Sequence, residues 1–148
     1  MSEGASTDRR AIRDAYAAVA DRLASAAHAV ARRPTPAGEW KPTDVVRHLI
    51  AVELEVWQPR LLQVAAEDDP HWPWAEPDRW LGEPGATLDE LLARFAAGRA
   101  ETIAHVDALD DAGWARIGTH ATFGVLDVAG LLQKALDHDE EHLASLEA

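Results

Sequence analysis

The 148-residue sequence contains no cysteine, which removes disulfide frameworks, thiolate metal ligands and a protein thiol nucleophile together. Any metal ion must be held by histidine, aspartate or glutamate. Long apolar runs are also missing. No stretch approaches the ~18 consecutive apolar residues needed to cross a bilayer, and the opening decapeptide has no apolar signal core, so a cytoplasmic location is expected. Basic residues are few, 14 against 26 acidic ones, for a formal charge of −12. Nucleic acid and anionic membranes would be repelled, and neither is expected as a partner. Beside six tryptophans there are only two phenylalanines and one tyrosine. Alanine and leucine dominate instead, a balance that favours helix over sheet.

Apolar residues make up 47% and charged residues 27%, close to globular values, and the length suits one domain over 1–148 with one core. Helical periodicity runs through Ile12, Tyr16, Val19, Leu23 and Val30, predicting a first helix over 8–33 with Thr7 or Asp8 as N-cap. Pro34, Pro36 and Gly38 stop it. Pro42 suits the first turn of a second helix over 42–67, whose stripe is Val45, Leu49, Val52 and Val56. Pro59 removes the bond to the Glu55 carbonyl, so a kink or early end is expected there. Residues 68–86, with four prolines and Trp72, Trp74 and Trp80, fit no regular element. Thr87 and Glu90 form a capping-box signature for a third helix to about 109, and a fourth spans 125–146.

His138 and His142 are four residues apart, so on a helix both rings project from one face. A short motif of this kind is weak alone. Its position adds weight, because Val128, Leu131, Ala135 and Leu146 continue the same face inward. His48 lies likewise on the apolar stripe of helix two. Three unpartnered imidazoles in a core are costly, and one divalent ion with nitrogen ligands satisfies all three. His48 sits near the start of helix two and His142 near the end of helix four, so they share a level only if these helices are antiparallel. That requires an up-down-down-up four-helix bundle with a long crossover between helices two and three. The 19 residues of 68–86 can extend about 60 Å, against a bundle length of about 30 Å.

The block Glu39-Trp40-Lys41-Pro42-Thr43-Asp44-Val45-Val46-Arg47-His48-Leu49 resembles the helix-two signature of the DinB-like superfamily. Phe123-Gly124, Asp127 to Leu132 and His138-Asp139-Glu140-Glu141-His142-Leu143 resemble its helix-four motif. The resemblance spans nearly the whole chain. It departs at Glu141, where a further histidine is frequent, and at Ser145, where glutamine is. It implies a three-histidine site for zinc, nickel or a similar ion, an up-down-down-up bundle and frequent dimerisation, hence an expected homodimer. Relatives include bacillithiol- and mycothiol-dependent S-transferases, a mycothiol-dependent maleylpyruvate isomerase and metal-dependent hydrolases.

Three ligands leave an open position at which a metal can acidify a thiol or water. With no cysteine in the chain, the thiol of an S-transferase must be a small-molecule cosubstrate acting on an electrophilic substrate. A hydrolase and a non-catalytic, metal-stabilised binding bundle are the alternatives. Glu55, seven residues beyond His48, is a candidate general base. Trp80 and His120 are candidate walls of a substrate pocket. Asp139, Glu140 and Glu141 read as solvated charges, and His28, His71 and His105 as surface residues.

Overall fold

The computed structural model describes residues 2–147, with side chains from residue 8 onward. Four long helices dominate: α1 (Ser2–Ala31), α2 (42–66), α3 (Leu88–Asp107) and α4 (Val128–Glu147). They form an up-down-down-up bundle in which α1 packs against α3 and α4 while α2 packs against α3. The first helix already begins at Ser2, ahead of Asp8; the side chain of Thr7 lies outside the described residues. Pro42 occupies the first turn of α2, and the Lys41 N–H is satisfied by Asp44 Oδ2 at 2.9 Å. Thr87 and Glu90 form the expected capping box on α3, each side chain accepting from the other's backbone N–H. Leu23, Leu49, Leu91, Leu131 and Leu143 lie in the core at 2% exposure or less, each worth about 1.5–3 kcal/mol of burial.

Pro59 neither ends α2 nor breaks it. Helix Pro42–Val52 passes into a π-helical turn, Glu53–Trp57, and resumes as Gln58–Ala66. The Gln58 N–H reaches the Glu53 carbonyl, so the proline falls in the first turn of a new α segment, where no donor is required.

Two stretches without a helical pattern hold a small sheet. β1 (His71–Trp72) runs parallel to β2 (Ile117–His120), which pairs antiparallel with β3 (Gly124–Asp127). The reading of 68–86 as free of regular structure is corrected by β1. Helix four starts at Val128 rather than 125 because β3 takes the preceding residues. Trp72 is buried under Gly118 and donates its Nε1–H to Gln63 at 2.8 Å.

Side chains clamp the crossover by binding its backbone. Arg60 donates to the Pro73 carbonyl at 2.7 Å, and Arg47 donates to the carbonyls of Trp80, Gly82 and Glu83 at 2.7–3.0 Å. No helix among the described residues is long and apolar enough to cross a membrane.

Candidate metal centre

His48, on the inner face of α2, meets His138 and His142, one turn apart on α4. Ring centroids are 5.4 Å apart for His48 and His138, 4.7 Å for His48 and His142, and 4.7 Å for His138 and His142. A fourth group comes from the crossover. One ligand atom from each of these histidines and from Glu76 can be chosen so that all four lie within 4.8 Å of one another. Glu76 Oε1 is 2.9 Å from His138 Nε2 and 3.5 Å from His48 Nε2.

The chemistry of the donors fits a divalent cation. His48 Nδ1 lies 2.7 Å from the carbonyl of Asp78, and a carbonyl only accepts, so Nδ1 carries the proton. The lone pair is left on Nε2, which is buried without a hydrogen-bond partner. A backbone acceptor that fixes the tautomer of a metal-binding imidazole is a recurrent arrangement. His142 is pushed down to about 4, chiefly by burial and then by the neighbouring His138 and His48, with Glu76 opposing. It is therefore neutral at pH 7, as a ligand must be. Glu76 is held below the usual carboxylate range, first by its hydrogen bond with His138, and supplies negative charge at the mouth. Three imidazole nitrogens with a carboxylate beside them suit zinc and its neighbours in the first transition row.

The other sequence candidates lie elsewhere or at the edge. Glu55 is exposed on the π-helical turn and is not brought to the histidines. The extra residue of that turn rotates the positions beyond it, so seven residues no longer return to the face of His48. Trp80 packs against Arg47 and Arg94, and its backbone N–H donates to the Arg47 carbonyl. Trp74, from the same linker, instead shares a cleft with His120, Glu76 and His138. Trp40 touches His48 edge-on at 5.5 Å. His28, His71 and His105 are exposed.

One reading of the α4 acids is corrected. Asp139 is 1% exposed and accepts from Arg99 Nη2 at 2.9 Å. Arg99 also donates to both oxygens of Glu53, at 3.0 and 2.9 Å, and to the Tyr16 carbonyl at 2.7 Å, while the Tyr16 hydroxyl donates to Glu53 at 2.9 Å. Each of the four helices contributes one member to this buried network, in which Asp139 is the residue that follows His138 along α4. Burial pushes the Asp139 carboxyl up to about 7 against the pull of Arg99. Glu140 pairs with Arg22 at the surface. The signal was present in the sequence, since Arg99 lies between Phe95 and Ile103 on the apolar stripe of α3, and Asp139 lies four residues from both Ala135 and Leu143. Glu76 had no comparable signal, because it sits in a stretch without periodicity.

Comparison with known proteins agrees with this architecture. YfiT from Bacillus subtilis, described as "a probable metal-dependent hydrolase with an unusual four-helix bundle topology", superimposes with a TM-score of 0.72 at 18% identity, over 94% of this chain and 83% of YfiT. No curated protein matches the chain. Residues 10–146 match the DinB superfamily. With that match covering almost the whole sequence and the bundle, crossover and histidine cluster in place, the chain belongs to the DinB superfamily.

Proposed function

We propose that this protein is a metal-dependent S-transferase that activates the thiol of a low-molecular-weight cosubstrate and passes it to an electrophile. The observation that carries the metal-dependent part is the buried, unpartnered Nε2 of His48, held in its tautomer by the Asp78 carbonyl and aimed at His138, His142 and Glu76. His48, His138 and His142 would hold a divalent ion, and the chemistry it would supply is acidification of a thiol or a water. The chain's own groups do the rest. Asp78 fixes the orientation of His48, and burial keeps His142 neutral. The ionised Glu76, at the solvent side of the cluster, is the proton acceptor within reach of a nucleophile placed there. The thiol reading draws on the resemblance of the His48 block and the His138–His142 pair to thiol-dependent relatives, and on a cysteine-free chain that needs the thiol from outside.

Hydrolysis is the second reading. It draws on Glu76, whose carboxylate beside the three histidines would serve water as a general base, and on the description of YfiT.

The test is metal analysis of natively purified protein beside His48→Ala and His142→Ala, followed by turnover with several small thiols, bacillithiol and mycothiol among them, and an aryl-halide acceptor, and separately with aryl esters. Metal-dependent thiol consumption that both variants lose supports transfer. Ester cleavage alone selects the hydrolase. Undiminished metal in both variants refutes the site, and bound metal without any turnover refutes both activities in favour of a binding bundle.

A further inference from the structure

Beside the histidine cluster, the crossover and the β2–β3 hairpin enclose a small cleft lined by Trp57, Arg60, Trp74, Glu76, His120 and His138, among others. Its free volume is about 20 Å³, little more than one water needs. The cleft holds hydrogen-bond donors that lack acceptors.

Arg60 is 6% exposed, with its guanidinium over the rings of Trp57 at 5.6 Å and Trp72 at 5.7 Å. One of its five N–H groups is used by the Pro73 carbonyl, and no carboxylate among the described residues forms an ion pair with it. Buried charges are ordinarily paired. Trp57 Nε1–H is shut off from solvent and also has no acceptor. His120 supplies the third donor. Its Nδ1 accepts the backbone N–H of Thr122 at 2.9 Å and of Phe123 at 3.2 Å. A nitrogen that accepts cannot carry the proton, so the neutral ring bears it on Nε2, which has no acceptor among the described residues. Stacking on Phe123 at 4.5 Å and an edge contact with Trp74 at 6.1 Å hold that ring. Burial, and then Arg60, keep His120 below the usual histidine range and so uncharged. Glu76, the acid on the rim, is engaged with His138 and does not neutralise Arg60.

We propose that this cleft is a subsite for a carboxylate carried by the molecule that reacts at the neighbouring metal centre, held by Arg60, Trp57 Nε1–H and His120 Nε2–H. A planar carboxylate matches the fork of a guanidinium, and so small a space shuts out a whole substrate. In a chain of net charge −12, an unpaired buried cation is a local exception to a field that repels anions. That the carboxylate belongs to a reacting molecule rests on the proposed function; anion binding does not.

The experiment is therefore run on metal-free protein, so that failure of the catalytic reading leaves it standing. Acetate is titrated against the protein at constant ionic strength while the Trp57 and Trp74 indole N–H resonances are followed by NMR, with neutral acetamide in parallel. Acetate is expected to move both resonances in a saturable way and acetamide is not. Arg60→Met should weaken acetate at least about tenfold, the value of one charge-assisted hydrogen bond, with Arg60→Lys between it and the parent. Trp57→Phe keeps a ring and removes the donor; read at Trp74, it should weaken acetate several-fold. A Trp57 resonance unmoved by acetate, or an equal response to acetamide, overturns the subsite. Should Arg60→Met fail to fold, undiminished acetate binding by both Arg60→Lys and Trp57→Phe also overturns it.

Discussion

Replacing Arg99 by methionine removes four hydrogen bonds in one step: two to Glu53, one to Asp139 and one to the Tyr16 carbonyl. Methionine fills most of the volume, so the dominant loss is electrostatic. Two carboxyl groups, Glu53 at 2% and Asp139 at 1% exposure, are left without the cation that compensates them. Breaking a buried ion pair from one side costs about 3–5 kcal/mol. That is a large part of the roughly 5–15 kcal/mol that holds a domain together. At about 2–4 °C per kcal/mol for a chain of this size, the midpoint of thermal unfolding should fall by roughly 6–20 °C. Circular dichroism and urea titration of metal-free protein measure it without a contribution from bound metal. The companion variant Glu53→Gln/Arg99→Met/Asp139→Asn removes the cation and both ionisable carboxyl groups while keeping shape, and should recover much of the loss because no uncompensated charge remains. A loss below about 1 kcal/mol for Arg99→Met, the range of an exposed pair, would refute the reasoning. So would a triple variant less stable than the single one.

Three further outcomes are expected. Glu76→Gln keeps the side chain's shape but removes its charge from the histidine cluster, and should weaken metal binding about 10–100-fold in a competition titration with a chelator; unchanged affinity would separate Glu76 from the centre. Gly118→Ala drives a Cβ into the Trp72 ring, and should destabilise by about 1–3 kcal/mol in urea unfolding as the sheet shifts to relieve the overlap. A neutral outcome would show that Trp72 is not locked there. Asp107 is held below its ordinary range chiefly by the hydrogen bond from Arg13. Its contribution is present above the unfolded value of about 3.9 and lost as pH falls through the lower folded value. At this half-exposed pair, Asp107→Asn should cost at most about 0.5–1 kcal/mol at pH 7 and nothing once the carboxylate is protonated. A penalty that persists in acid would point to packing.

Amphipathic period, with prolines and Gly38 as punctuation, revealed the four helices, and the capping box at Thr87 and Glu90 marked the start of α3 within a residue. The antiparallel relation of α2 and α4 followed from where His48 and His142 fall along their helices, joined with the reach of 68–86. These features are local, or depend on chain length, and a linear sequence carries both. Pro59 was visible as a missing donor, but whether α2 would end or continue depended on Glu53–Trp57 adopting a π-helical turn, a choice settled by what packs around it. The same turn carries Glu55 away from His48.

The sequence by itself determined the helical class, the exclusion of thiolate chemistry in the chain, and the inward facing of His48, His138 and His142, because helical spacing and residue type are properties of neighbours along the chain. Only the tertiary structure decided that Glu76 and the Asp78 carbonyl complete the centre. It likewise decided that Trp74 rather than Trp80 lies beside it, and that Arg60, Trp57 and His120 converge on one cleft. The crossover has no period to read, and its path is set by side-chain bonds to its backbone from Arg47, His48 and Arg60, residues up to 36 positions away. Asp139 stands between the two, since its spacing from Ala135 and Leu143 marked the buried face while its partner lay on another helix. Its charge reads as solvent-facing until the fold sets Arg99 opposite it.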